Sequence, residues 1–533
     1  MKLSQMYLMK STRQLLNFSA FNHAKAVVSV YFALILLPIA AIVLGLSEYV
    51  RINAQSAFFD SATSLACYST FSKFAKEVYD EYGIFVYYSS EYNFTADLTD
   101  YTEKNMQSGA QEDTTNSFYT LSEISVSLDD ISYITDSSGE IFANQAIKYI
   151  KTHITSELSE SLVEIIKTYI DNEYDFSTDL SVPTDEETAE ELANKAKETL
   201  SEYIDFSEDD EEEKTGSEDD IDDKNIIDII SDLMNDSLLT LCGIDTNDIS
   251  TLNVSSSYIP SRTCYTNSSS VVEDLAGYIT DADDATDVLG NLSDKALYLL
   301  YLNSKFSCYT DYSDNTATEN ELCYELEYIL NRNKSEKENL SVAIKQLVLL
   351  RSGLNLAYLF TDAEKIGICH TAAMALVGSI PVPGIVAATT LVMMYAWATA
   401  EAIVDVRNLT AGKTVPVIKT KSSWNLSYEN CFNLDSYLND CDSSPGTSLT
   451  GLNYKLYLLI LLYKESDAHL YLRTMDLIQL NIAKKYNSSF VMMGMISGAD
   501  ITLSGTGKEL FTVFFDAITD GEYEIEKNIS YSY

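Results

Sequence analysis

The sequence predicts an α+β protein: a single N-terminal transmembrane helix continuing into a long amphipathic helix, then a mainly helical extracellular core with flanking β-strands. Three observations carry this. Ala26 to Ser47 run for 22 residues without a charge, between Lys25 and Glu48. Neither Gly nor Pro interrupts residues 46–82, where apolar residues recur at helical spacing. Stretches of alternating polarity lie at 84–135 and after Phe490, on either side of longer helical patterns.

The uncharged run comes first. At ~1.5 Å per residue it reaches ~33 Å, enough for the ~30 Å hydrocarbon core of a bilayer. A secretory apolar region is shorter and ends at a small-residue cleavage site; this one passes directly into EYVRINAQSAFFDSATSLA. It reads as an uncleaved signal-anchor, with Pro38 tolerated as prolines are within membrane helices. Residues 1–25 carry Lys2, Lys10, Arg13 and Lys25 and no acid, which sets them as the cytoplasmic segment, 26–47 as the span and the bulk of the chain outside. Over 48–83 a stripe of Val50, Ala54, Phe58, Leu65, Tyr68, Phe71, Ala75, Val78 and Tyr82 predicts an unbroken juxtamembrane helix extension. Either the protein's own ectodomain or a neighbouring subunit must cover that stripe.

Composition bounds the rest. The chain has 533 residues, 46% of them hydrophobic, so it can bury a real core. Its net charge of −45 falls almost wholly between the anchor and residue 402. Such a surface repels phosphate backbones and argues against nucleic acid as a partner. The 37 tyrosines suit both core packing and contact surfaces. The eight cysteines form no CxxC; the nearest pairs, Cys242/Cys264, Cys308/Cys323 and Cys431/Cys441, leave disulfide connectivity open.

In order along the chain, 84–205 reads as an α/β ectodomain part, with strands at IFVYY, SFYTL and ISVSLDDISYIT, then helix from Ile141 to Ile170 and after Pro183. Residues 206–225 form an acidic disordered loop: Glu208 to Asp223 hold 11 acids in 16 residues, without the DxDxDG order of a calcium loop. Residues 226–290 are a helix ended by Gly243 and Ser/Asn-rich loops. Residues 291–486 form the helical core, starting near Ser293 and including a capping box at Ser335 and Glu338 and an Asp362 cap. PVPG (Pro381–Gly384) divides the 35 uncharged residues between Lys365 and Glu401 into two helices. Both are shorter than a span needs and read as a buried hairpin; the rival reading crosses the membrane at Ile385–Ala400. Residues 487–533 read as closing strands pairing with those at 117–135.

A catalytic set is hard to assemble. The four histidines, His23, His153, His370 and His469, have no metal spacing. AGKT (Ala411–Thr414) lacks the earlier glycine of a phosphate loop, so Gly412 reads as a helix C-cap, and SGTGKE (Ser504–Glu509) reads as a turn. The best polar constellation is Trp397, Glu401 and Asp405 at i, i+4 and i+8 on one helical face, followed by Arg407. These carboxylates are acid–base candidates, but buried charges need partners, and pairing of Glu401 or Asp405 with an arginine such as Arg351 would fix two helices together. No cofactor is implied.

Two resemblances give the chain a context. AVVSVYFALILLPIAAIVLGLSEYVRI resembles the amino terminus of TadE/TadG-type pseudopilins of the tight-adherence pilus, through Phe32, Ala33, Leu34, Pro38, Glu48 and Arg51; the family's early Glu is Tyr31 here. CYELEYIL, SEKENL, LRSGLNLAYLFTDAEK, AWATAEAIVDVR, GKTVPVIK, Trp424 and MDLIQLN follow one another as in an uncharacterised family of membrane-anchored ectodomain proteins associated with tight-adherence (Tad) pilus loci in Gram-positive bacteria. The resemblance implies a non-enzymatic, pseudopilin-like surface protein whose partners are the lipid bilayer, pilin or pseudopilin subunits and pilus assembly proteins. A membrane-tethered adhesin or ligand-binding receptor is the alternative, and an extracellular hydrolase the third. The interaction candidates are Glu48, Arg51, Phe58, Leu65, Tyr68, Arg351, Trp397, Glu401, Asp405 and Arg407.

Overall fold

A computed structural model describes residues 2–107, 121–153, 238–254, 256–264, 293–312, 319–377, 383–431, 434–440, 451–511 and 521–533. Its elements in chain order begin with α1 (Lys2–Phe71), α2 (Lys76–Tyr82), α3 (Glu91–Gln107), β1 (Ser122–Tyr133) and α4 (Asp136–His153). There follow α5 (Asp294–Lys305), α6 (Glu325–Asn331), α7 (Glu336–Leu359), α8 (Ala363–Val377), α9 (Pro383–Thr410), α10 (Leu434–Asp440), α11 (Tyr454–Lys464) and α12 (Asp467–Lys485). Strands β2 (Ile496–Lys508) and β3 (Glu522–Ser532) come last, and single helical turns connect some elements. The expected helix at 185–204, the acidic loop at 208–223 and Cys441 lie outside the described residues.

The chain makes two units that are not consecutive stretches: unit 1 takes Met1–Ala75, Val86–Tyr133 and Met495–Tyr533, unit 2 Lys76–Phe85 and Ile134–Gly494. Unit 1 is a mixed helix-and-sheet body. Its sheet has the order β1-β2-β3, all antiparallel, with Leu128 opposite Ile501 and Ile501 opposite Ile529. The outer part of α1, α3 and the sheet share one apolar core of Phe59, Ala62, Cys67, Phe71, Phe94, Leu98, Met106, Ile496, Ile501 and Leu503.

Several expectations are corrected here. The helix does not run unbroken to Tyr82: α1 stops at Phe71, Phe74 bridges to Tyr87 and Tyr87 to Ile496, and α2 then starts separately. Leaving the helix lets the chain join the ladder with backbone groups that a continuous helix would have kept for itself. Residues 84–88 supply only that isolated bridge, and 91–107 are helix rather than strand: Phe94, Leu98, Thr102 and Met106 are buried at four-residue spacing and Ser90 caps the helix start. SGTGKE lies largely inside β2, not in a turn. The covered face of α1 is Arg51, Gln55, Phe59, Ala62, Ala66 and Thr70, whereas Val50, Leu65 and Tyr68 of the expected stripe stay exposed; Phe58 is half-buried against the core and Phe71 is buried. Tyr68 nevertheless meets Tyr531 edge-on, centroids 5.5 Å apart.

Unit 2 is helical. The long helices α7 and α9 lie side by side, with α8 on α9, α6 and α11 on α7, and α12 on α4 and α6. Ser293, Asn453 and Ser466 cap α5, α11 and α12 through their side-chain oxygens. Ser335 makes no side-chain cap, so the expected capping box does not form. Asp362 does accept the Lys365 N–H, and Gly412 at φ +77 follows the end of α9. Cys242, Cys264, Cys308 and Cys323 are free thiols.

Among the described residues, three helices are long and apolar enough to cross a membrane. In α7 and α9 the apolar windows are 61% and 78% covered by protein, whereas none of the window in residues 30–71 of α1 is. Phe71 packs against Phe94, Tyr531 and Tyr533 with centroids 5.3, 4.3 and 5.2 Å away. Phe71→Ala should therefore cost unit 1 about 3–5 kcal/mol; amide hydrogen exchange at Ile501 and Leu503 in β2 will accelerate accordingly.

Candidate functional site

The first polar site lies one residue beyond the apolar run. Glu48 and Arg51 are one helical turn apart on α1, so their side chains meet, and both are buried. Arg51 donates to the Glu48 carboxylate through Nε (3.1 Å) and Nη2. It also donates to the Lys508 carbonyl (2.7 Å), the Tyr523 hydroxyl (3.0 Å) and Gln55 Oε1 (3.3 Å). The other Glu48 oxygen accepts the backbone N–H of Leu510 (3.2 Å) and Phe511 (2.8 Å). The pair thus clamps the end of β2 and the chain after it onto α1. Gly507 allows this: it stands opposite Tyr523, and a Cβ there would come within 2.4 Å of the ring that must lie across the strand to reach Arg51. Burial raises the Glu48 carboxyl, but Arg51 and the two N–H groups outweigh it and hold it below the ordinary carboxylate range. An open groove beside the clamp is lined by Val43, Leu46, Ser47, Val50, Ala54 and Phe511.

The second site is inside unit 2. Trp397, Glu401 and Asp405 share one buried face of α9, four residues apart. Arg351, on α7, places Nε and Nη2 on Asp405 Oδ2 at 3.1 and 2.8 Å. Lys419, in the loop after α9, puts its ammonium 2.6 Å from both Glu401 Oε1 and Asp405 Oδ1 and donates to the Ser423 carbonyl at 3.0 Å. Arg351 spends its remaining donors on the Pro416 and Val417 carbonyls, the Tyr457 hydroxyl and Asn355. Glu401 also accepts the N–H groups of Asn425 (3.0 Å) and Leu426 (2.7 Å), and both Trp397 and Trp424 donate their indole N–H to the Leu426 carbonyl.

Two cations meet two anions, and all four residues are at most 2% exposed. The cost of removing charges from water is offset only where geometry is good and every remaining donor and acceptor is used, as here. Burial and then Asp405 raise the Glu401 carboxyl; burial also acts on Asp405, but Arg351 and Lys419 keep it low. Substrate has no open side from which to reach these carboxylates, so the acid–base reading gains no geometric support. Arg407 stands apart, donating to the Leu241 carbonyl at 3.1 Å. Sequence reasoning missed Lys419: its partners lie in α9, and only folding brings the loop back over that helix. His370 lies beside the buried Cys369 in α8, and among the described residues no group of His, Cys, Asp and Glu could hold a metal.

The segments that carry the wider resemblance supply many of the buried polar groups of unit 2: Glu325 and Glu327 from CYELEYIL, Glu336 and Asn339 from SEKENL, Arg351 and Asn355 from LRSGLNLAYLF. They also supply Glu401 and Asp405, Lys419, and Asp476, Gln479 and Asn481 from MDLIQLN. Because one partner removed leaves a charge buried alone, Lys419→Met and Arg351→Met should each cost about 3–5 kcal/mol. A double change of Arg351 and Asp405 to apolar residues should cost less than the sum. Tryptophan fluorescence during denaturant unfolding measures both, since Trp397 and Trp424 adjoin the network.

A family model described as a family of unknown function, DUF5702, matches residues 216–507, more than half of the chain. No curated protein and no solved structure matches. The matched residues run from before α5 through most of β2 and include the whole quartet of Arg351, Glu401, Asp405 and Lys419. The protein is therefore a member of DUF5702, a family of unknown function.

Proposed function

We propose that this is a non-enzymatic, membrane-anchored extracellular protein, pseudopilin-like, that assists or decorates a tight-adherence-type pilus or secretion apparatus. The observation that carries the reading is the state of α1. From Val30 to Leu46 its large apolar side chains, apart from the half-buried Leu44, are uncovered, as expected of lipid-facing residues, and Glu48 and Arg51 follow at once. Positive residues before the run and the acidic chain after it favour a cytoplasmic amino terminus. The coverage of α7 and α9 by their own unit favours a single span.

Beyond the clamp, the outward face of α1 continues without a charge through Val50, Ala54, Ala57, Ser61, Leu65 and Tyr68, Val50, Leu65 and Tyr68 being more than half exposed. A seam of apolar and small residues, continuous with a membrane helix, suits the helix of a neighbouring anchored subunit such as a pilin or pseudopilin. The Glu48–Arg51 clamp would keep the folded unit on the opposite face and the seam clear. A surface adhesin or receptor would leave the seam unused.

Single cysteines at Val50, Leu65 and Tyr68 should crosslink to a pilin or pseudopilin in intact cells, while one at Ala62 on the covered face should not. Equal crosslinking from both faces, or none from the seam in cells that assemble the apparatus, would count against the pilus reading. Recovery of the full-length protein from the soluble fraction without detergent would remove the anchor as well.

A further inference from the structure

Unit 2 holds its buried acids in two different ways. In the quartet each carboxylate has a cation. Glu325, Glu327, Glu336 and Asp476 are at most 1% exposed, and no ion pair among the described residues includes them. All four accept hydrogen bonds from neutral groups and so tie incoming chain onto α6, α7 and α12. Glu325 accepts the Ser307 N–H and hydroxyl and the side-chain amides of Asn320 and Asn481. Glu336 accepts the N–H groups of Cys323 and Tyr324 and the Ser250 hydroxyl. Burial raises both carboxyls, and these crowded donor sets offset part of that rise. Asp476 has the Ser261 N–H at 2.8 Å and the Tyr328 hydroxyl at 2.9 Å. Glu327 Oε1 takes the Tyr309 N–H and the Tyr454 hydroxyl, both at 2.9 Å, while Oε2 has no hydrogen-bond partner.

The titratable groups around these acids include Cys308, Tyr309 and Asp311 of loop 307–311, Tyr454 and Lys455 of α11, and Arg473, Lys484 and Lys485 of α12, and Glu336 also acts on Glu327. The cations among them are turned to other partners: Lys455 to Asp311 at 3.1 Å, Lys485 to Glu81 at 3.0 Å, Lys484 to the Asn320 carbonyl, and Arg473 to the Ile329 and Leu330 carbonyls and Glu465. Arg332 acts on Asp476 at longer range, while Arg262 and Arg332 act on its partner Tyr328, and Arg262 has its own donor on the Ser256 carbonyl. A carboxylate sealed from water without a cation is costly, and taking up a proton relieves the cost.

We propose that unit 2 is a proton-coupled fold, in which Glu327 and Asp476 hold protons between α6, α12 and the loops they fasten, so that the unit tightens in mildly acidic surroundings. Burial raises Glu327 to about 7 and Asp476 to about 6. Between their unfolded values near 4 and these folded values, the folded state binds more protons than the unfolded one. Their contribution to stability is therefore full at acid pH and lost as pH rises through about 6 to 7, the reverse of an ion-paired carboxylate.

The test uses the full chain in detergent and tryptophan fluorescence, because both tryptophans of the sequence, Trp397 and Trp424, belong to unit 2. The thermal midpoint should be higher at pH 5.5 than at pH 8 by about 4 °C or more. The double variant Glu327→Gln and Asp476→Asn should narrow that gap by raising the midpoint at pH 8. A midpoint in the unaltered protein that is flat or falls on acidification overturns the proposal, as does a double variant that keeps the full gap. Should the double variant fail to fold, calorimetric unfolding of the unaltered protein near pH 6.5, in two buffers of different ionisation enthalpy, decides: net proton release supports the proposal and net uptake overturns it.

Discussion

Asp405 lies between two cations, Arg351 and Lys419, in a space closed to water, and the helical unit is arranged around it. Arg351 belongs to α7, Asp405 and Glu401 to α9, Lys419 to the loop that follows, and Tyr457, which receives an Arg351 hydrogen bond, to α11. Four segments separated in sequence are thereby held to one register. Apolar packing alone would let α7 and α9 slide by a turn at modest cost. A displaced charge in this interior would lose its partner and pay for burial without return, so the network specifies alignment more than it adds net stability.

The same device recurs in weaker form. Glu48, Glu325, Glu327, Glu336, Glu401 and Asp476 each accept at least one backbone N–H from a segment outside their own helix turn. Asn339, Gln479 and Asn481 do likewise for Asn333, Met492 and Glu321. Loop backbone entering a core must find acceptors and donors or forfeit the energy of water's hydrogen bonds. This fold supplies them from side chains on rigid helices, which explains why so acidic a chain can place so many carboxylates inside. Where the acid has neither a cation nor a full set of donors, as at Glu327 and Asp476, protonation becomes part of folding.

In unit 1 the constraint is geometric. One face of α1 is given to the sheet, through Gln55, Phe59 and Ala62, and the clamp at Glu48 and Arg51 fixes which face that is. The face left over is uncharged along the same length, so the exposed apolar surface of the first half of α1 continues into its second. That continuity is what gives the pseudopilin-like reading its physical content, and it does not depend on the matched family, whose residues begin well after α1.

Much of this was legible in the residues themselves. An uncharged run long enough for a bilayer, the helical spacing along α7 and α9, and closing strands after Phe490 follow from local pattern, because burial on one face imposes its period on the sequence. The end of α1 at Phe71, the helix at 91–107 and the facing of Val50, Leu65 and Tyr68 were not legible, since each is decided by a strand or loop from elsewhere in the chain. The buried acids show the division most plainly. Spacing put Glu401 and Asp405 on one face and required a cation for them; only the folded chain could bring Lys419 to both and leave Glu327 without any. A charge's environment is set by the segments packed around it, and those stand from about fourteen to more than a hundred residues apart in sequence until the tertiary structure joins them.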